Sequence, residues 1–448
     1  MRVELTLQVV GTPLRGPRVT YLLSIMHLAI SIATLAVFAA ALYADLFAAG
    51  SVRELMQSCR RTRMLRSLGV QFETSGCTAA TGALTPGWSW QGVWAPEGLV
   101  HRHVELPNGV VLHVAELRPA EETHSLLPPV LLLHGFPEIS YTWVHQILPV
   151  ASLAKRRVIV PDLRGYGETI VPADVAAAPS SYDVGNVTTD LALFLEIENI
   201  PRAVVIGHDW GAMVSWAFAS LYPERTTAIG AIGVPHDPFS LLGTWDADWN
   251  ATHRGEAYQM GPLARLKKYN DMRQFDYMVA FDEGSVETLF DLAPRGAFGM
   301  IYQSSSASSF TKYANLALDD LFHLGLVDRE LLPEDLHDVL VRGAVMRGFA
   351  PQIAYYRSID RSWAQVRDAE GEESTPTLEG ELLTTFEKPA LLITCGADDV
   401  VTPALSKGME SRCSEMTRVH EPDFTHWNAH QHPQKTANHI VAWLRAIE

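Results

Sequence analysis

From about residue 100 onward, the 448-residue chain predicts an α/β fold: a mostly parallel, doubly wound sheet with a helical insertion, preceded by an N-terminal transmembrane helix. Three observations carry that expectation. Short apolar runs alternate with helix-like stretches, one long aromatic stretch breaks the alternation, and an uncharged run near the N-terminus is long enough to span a bilayer.

The apolar runs fall at residues 130–133, 157–160, 203–206, 228–234 and 390–394. Most are bounded by Gly, Pro or Asp, and continuous apolar runs of this length suit strands buried on both faces. Helical stretches at 187–197 and 212–222 lie between them. Such alternation implies parallel strands with ligands bound at their carboxyl ends. Residues 240–366 are helix-rich and aromatic, and read as an inserted lid. Residues 367–388 are acidic and polar, and read as an exposed loop. The expected order is therefore an anchor at 1–50, a linker at 51–100, core at 101–239, lid at 240–366, acidic loop at 367–388 and core again at 389–448.

The 26 residues from 19 to 44 carry no formal charge, and His27 alone titrates near neutrality. About 20 apolar residues span a bilayer as a helix, and a cleaved signal has a shorter apolar region. The reading is a single-pass anchor. Arg15 and Arg18 precede it, while Arg53, Arg60, Arg61, Arg63 and Arg66 follow, which places the downstream body in the cytosol by the positive-inside rule, an endoplasmic reticulum membrane being one candidate. Residues 71–90 read as a linker or as a wrap onto the body.

The formal net charge of −16 excludes nucleic acid as a partner, because phosphate binding needs clustered Lys and Arg. The first 100 residues are net +3 and the remainder −19, so the two parts face different surroundings. Cys59, Cys77, Cys395 and Cys413 form no CxxC pair, and neither a metal site nor a disulfide framework is expected. Sequons stand at Asn186 and Asn250.

The chemistry centres on Gly207-His208-Asp209-Trp210-Gly211, which joins a strand to a helix. Small residues two positions either side of the central one permit a sharp turn that exposes its side chain. Serine commonly holds that centre; here it is aspartate. With an ordinary pKa of about 3.9, an Asp is already ionised near neutrality. It can attack an alkyl carbon directly and form an ester, leaving a histidine free to activate water in a second step. The bland alternative is an Asp that merely caps a helix.

Three segments, HGFPE at 134–138, PDLRGYGET at 161–169 and GHDWGA at 207–212, resemble epoxide hydrolases of the α/β-hydrolase fold over roughly residues 100–448. The resemblance implies an oxyanion hole from the backbone N–H groups of Phe136 and Trp210, with Pro137 at the position of a cis-proline. It implies Asp399, fourth in Gly396-Ala397-Asp398-Asp399, as the charge-relay acid, with Asp398 a turn or solvent residue. In Phe424-Thr425-His426-Trp427 it implies His426 as general base, with Pro433 seven residues on; Thr425 replaces the usual Gly. His430 and His432 are expected to face solvent.

Two lid tyrosines are implied as proton donors to the leaving oxygen. Tyr356, in GFAPQIAYYRSIDRSW, is favoured over its neighbour Tyr355. Tyr277, in FDYMVAFDEG, is followed by Phe281, although the usual Gln-Glu-Pro-Gly tail is altered. The expected activity is hydrolysis of a lipophilic epoxide by water to a vicinal diol, without cofactor or metal. A haloalkane dehalogenase would share the Asp-His-Asp triad but needs only N–H donors for its halide. A catalytically silent ligand receptor is the remaining alternative.

Overall fold

The computed structural model describes residues 86–120, 127–236, 260–269, 273–283, 286–302, 331–370 and 386–448. The expected anchor at 19–44 and most of the expected linker lie outside the described residues. Among the described residues, no helix is long and apolar enough to cross a membrane.

One eight-stranded sheet forms the body, in the order β1-β2-β4-β3-β5-β6-β7-β8. Its strands are β1 (Val100–Glu105), β2 (Val111–Leu117), β3 (Val130–Leu133), β4 (Val158–Pro161), β5 (Ala203–His208), β6 (Thr226–Ile232), β7 (Phe386–Cys395) and β8 (Cys413–Glu421). β1 and β2 run antiparallel, and β2 joins β4 antiparallel; every other pairing is parallel. All residues of β3, β4 and β5 are buried, which requires helices on both faces. Apolar side chains fully buried in this way each contribute roughly 1.5–3 kcal/mol relative to exposure.

Helices α1 (Val144–Leu153), α2 (Val184–Ile197) and α3 (Trp210–Leu221) follow β3, β4 and β5 in the core. Asp183 starts α2 by accepting a hydrogen bond from Asn186 N at 2.9 Å, a cap worth about 1 kcal/mol. Between β6 and β7 the chain inserts α4 (Pro262–Tyr269), α5 (Asp276–Glu283), α6 (Val286–Leu292), α7 (Pro294–Ile301), α8 (Glu334–Arg347), α9 (Ala350–Arg357) and α10 (Ile359–Glu370). The chain ends in α11 (Pro433–Ala446), which packs on α1.

The insertion's last helix continues to Glu370 rather than stopping at 366, and β7 begins at Phe386 rather than 389. Polar residues there look like loop but have partners. Arg367 lies over the Trp363 ring one turn earlier, at 4.3 Å. Glu370 is bonded by His236 Nε2 at 2.7 Å and by Ser220 Oγ at 2.6 Å. At the front, residues 88–90 belong to the body: the Ser89 N–H and hydroxyl both donate to Glu168 Oε1 at 2.8 Å.

Strand register assembles the site. Leu133 of β3 pairs with Gly207 of β5, so the turn after β3 meets the turn after β5. His208 pairs with Ile232, and Ile232 with Ile393, so β7 ends at the same level. Cys395 pairs with Glu421, and the chain leaving β8 reaches His426 within five residues.

Candidate active site

Asp209 occupies the junction of β5 and α3 with φ 52° and ψ −122°. A left-handed φ at a non-glycine residue costs of order 1–3 kcal/mol, and the flanking contacts must enforce it. Gly207 and Gly211 make the turn possible. A Cβ on Gly207 would strike the Gly211 carbonyl, and one on Gly211 would strike the Leu133 carbonyl.

The Asp209 carboxylate is gripped at both oxygens. The Phe136 N–H donates to Oδ1 at 2.8 Å, and His426 Nε2 lies 3.3 Å from Oδ2. The Phe136–Pro137 peptide is cis. The Trp210 N–H is the first of α3 and has no acceptor within the helix.

Behind the imidazole stands Asp398, not Asp399. His426 Nδ1 is 2.7 Å from Asp398 Oδ2, whereas Asp399 is exposed. This corrects the register expected from sequence. The turn after β7 is pinned by Ala397 N donating to Phe424 O at 2.9 Å. It points Asp398 inward, where Oδ1 accepts the Val400 and Val401 N–H groups at 2.9 Å each. These two bonds form an Asx-type turn, a pattern that the adjacent Asp399 could equally have offered in sequence.

Burial opposes charge on Asp398, but His426 and the two N–H groups outweigh it and hold its pKa below the usual carboxylate value. Burial likewise opposes charge on His426, yet Asp398 and then Asp209 raise its pKa well above 6.5. Two carboxylates thus flank the imidazole and favour its charged form.

Tyr277 in α5 and Tyr356 in α9 converge on this site. Their rings are 5.6 Å apart in edge contact. The Trp210 indole stands edge-on to the Tyr356 ring, with centroids 5.1 Å apart. Burial first, then Asp209 and neighbouring groups, raise both phenol pKa values, so both hydroxyls keep their protons. Phe136, Phe281 and Trp210 pack edge-on around Tyr356 at 5.0–5.2 Å. Tyr355 faces elsewhere: its hydroxyl donates to Arg164 O at 2.8 Å.

Sequence reading assigned no role to two buried residues behind the triad. His208 places Nδ1 3.0 Å from Glu138 Oε2 and Nε2 2.7 Å from His426 O. The carbonyl can only accept, so Nε2 donates the proton of that bond. Burial opposes the Glu138 charge, but His208 and other donors lower its pKa to about 2. A charged residue inside HGFPE and a His beside the elbow were the available signals. His430 also departs from expectation. Its side chain is only 4% exposed, with Nε2 3.9 Å from Glu138 Oε1, because the short turn after Trp427 carries it inward.

Among the described residues no group of three His, Cys, Asp or Glu side chains is arranged to hold a metal ion. A sharp strand-to-helix elbow bearing Asp209 on a mostly parallel sheet, with Asp398 and His426 following in chain order, is the arrangement of an α/β-hydrolase. A family model described as the alpha/beta hydrolase fold matches residues 128–433. Within that fold the chain belongs to the epoxide hydrolase family. It is 30% identical over 298 residues to epoxide hydrolase 1 of Siraitia grosvenorii, covering 63% of this chain and 81% of that one. It is 28% identical to epoxide hydrolase A of Mycobacterium tuberculosis, covering 76% and 96%.

Similarity to bifunctional epoxide hydrolase 2 of Sus scrofa is 27% over 78% of this chain, and spans only 56% of that longer relative. The solved epoxide hydrolase A of Mycobacterium thermoresistibile superposes with a TM-score of 0.56 at 25% identity, covering 78% of this chain and 99% of that one. Potato epoxide hydrolase I shares the fold with a TM-score of 0.57 at 21% identity, covering 78% and 99%.

Proposed function

We propose that this chain hydrolyses lipophilic epoxides to vicinal diols through a covalent ester on Asp209. An Asp209 oxygen attacks a ring carbon, the C–O bond of the ring breaks, and Tyr277 and Tyr356 hydrogen-bond and protonate the departing oxygen. His426, oriented by Asp398, then takes a proton from water, whose oxygen attacks the ester carbonyl. The Phe136 and Trp210 N–H groups stabilise the resulting oxyanion, a role in which one donor is worth about 3 kcal/mol. The proton that His426 gives up on ester formation restores the tyrosine. Collapse of the tetrahedral intermediate, with the proton of its added hydroxyl passing to the departing alkoxide, releases the diol and regenerates the carboxylate.

The observation that carries this reading is one carboxylate held between a backbone N–H and an imidazole, beside two protonated tyrosine hydroxyls. The tyrosines favour an epoxide over an alkyl halide, since an alkoxide needs a proton and a halide does not. The test offers the purified protein an aryl epoxide and a haloalkane of similar size. Diol formation without halide release is expected; halide release alone would assign the chemistry to dehalogenation.

The helices between β6 and β7 act in this reading as a lid, nominally residues 240–366, that brings the tyrosines to the elbow. Residues 19–44 serve as a membrane anchor with the body on the cytosolic side, a reading supported by their uncharged sequence and the arginines that follow. Deleting residues 1–50 should then move the protein from the membrane to the supernatant fraction with turnover retained. An unchanged distribution would reject the anchor.

A further inference from the structure

Tyr302, just beyond the end of α7, is fully buried and touches the machinery from an unexpected side. Its ring stacks on Trp427, the residue after His426, with centroids 3.9 Å apart and planes 20° from parallel. Its hydroxyl donates to Glu138 Oε1 at 3.4 Å. The other Glu138 oxygen, Oε2, accepts from Gly135 N at 3.1 Å and faces His208 Nδ1 at 3.0 Å. His208 Nε2 in turn donates to the His426 carbonyl at 2.7 Å. One phenol in the insertion thus reaches the backbone of His426 by two routes, through the indole beside it and through the Glu138–His208 pair behind it.

We infer that Tyr302 is a positioning residue for water activation: the insertion uses it to fix the main chain of His426, and hence the aim of the imidazole, in the ester-hydrolysis step. This rests on the proposed covalent mechanism. The two routes are complementary. Stacking sets the plane of Trp427, and the hydrogen bond holds Glu138 so that His208 keeps its grip on the carbonyl. A bond of 3.4 Å is long for a hydroxyl donor. His430 Nε2 approaches the same Glu138 oxygen at 3.9 Å and is the other titratable group facing it. Among the described contacts, no hydrogen bond or ring contact joins Tyr302 itself to Asp209, Tyr277 or Tyr356, the groups on which the attack on the epoxide depends.

The consequence is a selective kinetic effect. Tyr302→Phe keeps the stack and loses the hydroxyl; Tyr302→Leu loses both. Both variants, the wild type and their melting temperatures are compared using an aryl epoxide, rapid acid quench and mass measurement of the peptide bearing Asp209. Expected for Phe is a kcat lowered roughly 10- to 100-fold, as for loss of one hydrogen bond to a charged group. The kcat/KM should be unchanged, and a larger fraction of enzyme should carry the ester at steady state. Leu should amplify the same pattern. A Phe variant with wild-type kcat and ester fraction would overturn the inference, as would equal losses in kcat and kcat/KM accompanied by a lowered melting temperature. If wild-type enzyme forms diol and neither it nor Tyr302→Leu ever carries an ester, the covalent mechanism itself fails, and this inference with it.

Discussion

His426 Nε2 stands 3.3 Å from Asp209 Oδ2, and its other ring nitrogen is 2.7 Å from Asp398. An imidazole charged by two carboxylates cannot take a proton from water. In the proposed mechanism, converting Asp209 to an ester removes one of the two negative charges and lowers the His426 pKa, so that the base becomes competent once the intermediate exists. Asp209→Asn imitates that neutral state. Imidazole NMR titration should show a His426 pKa lower in Asp209→Asn than in wild type; equal values would refute this coupling.

Asp398→Asn should lower kcat by about 10²–10⁴-fold, the range for disabling a positioned general base, while Asp399→Asn leaves it within twofold. Steady-state kinetics on the two variants decides between the adjacent carboxylates. A large loss at Asp399 alone would return the role to it.

The same pair shapes stability against pH. The raised pKa of His426 makes its contribution complete below the unfolded value near 6.5 and lost as pH rises through the folded value. The lowered pKa of Asp398 makes its contribution present above the unfolded value of about 3.9 and lost as pH falls through the folded one. Melting temperatures of wild type and Asp398→Asn should therefore differ most near pH 5–6 and converge in strong acid. A constant gap across that range would contradict the assignment.

Tyr277→Phe and Tyr356→Phe should each reduce the rate of ester formation roughly 10²-fold, with the double variant worse than either. Single-turnover kinetics on an aryl epoxide measures this step alone. Full activity in the double variant would remove the proton donors from the mechanism.

Much of this was legible beforehand for identifiable reasons. The central strands β3 and β5 are apolar at nearly every position, and the elbow needs glycines where no Cβ fits. Strands β1, β2 and β8 escaped notice because they carry charge: Arg102, Glu116 and Arg418 all have ionic partners in the fold. Asp398 was misread because a motif count cannot tell which of two adjacent acids a turn points inward. Glu138, His208 and Tyr302 acquire meaning only through contacts between segments far apart in sequence, which periodicity does not encode.

The most direct measurement is a single turnover in water enriched in heavy oxygen, with enzyme in excess over epoxide. The first diol should carry an unlabelled oxygen taken from the Asp209 carboxylate, and the label should appear in the Asp209 peptide. Solvent label passing straight into that first diol, with Asp209 unlabelled, would contradict the covalent account.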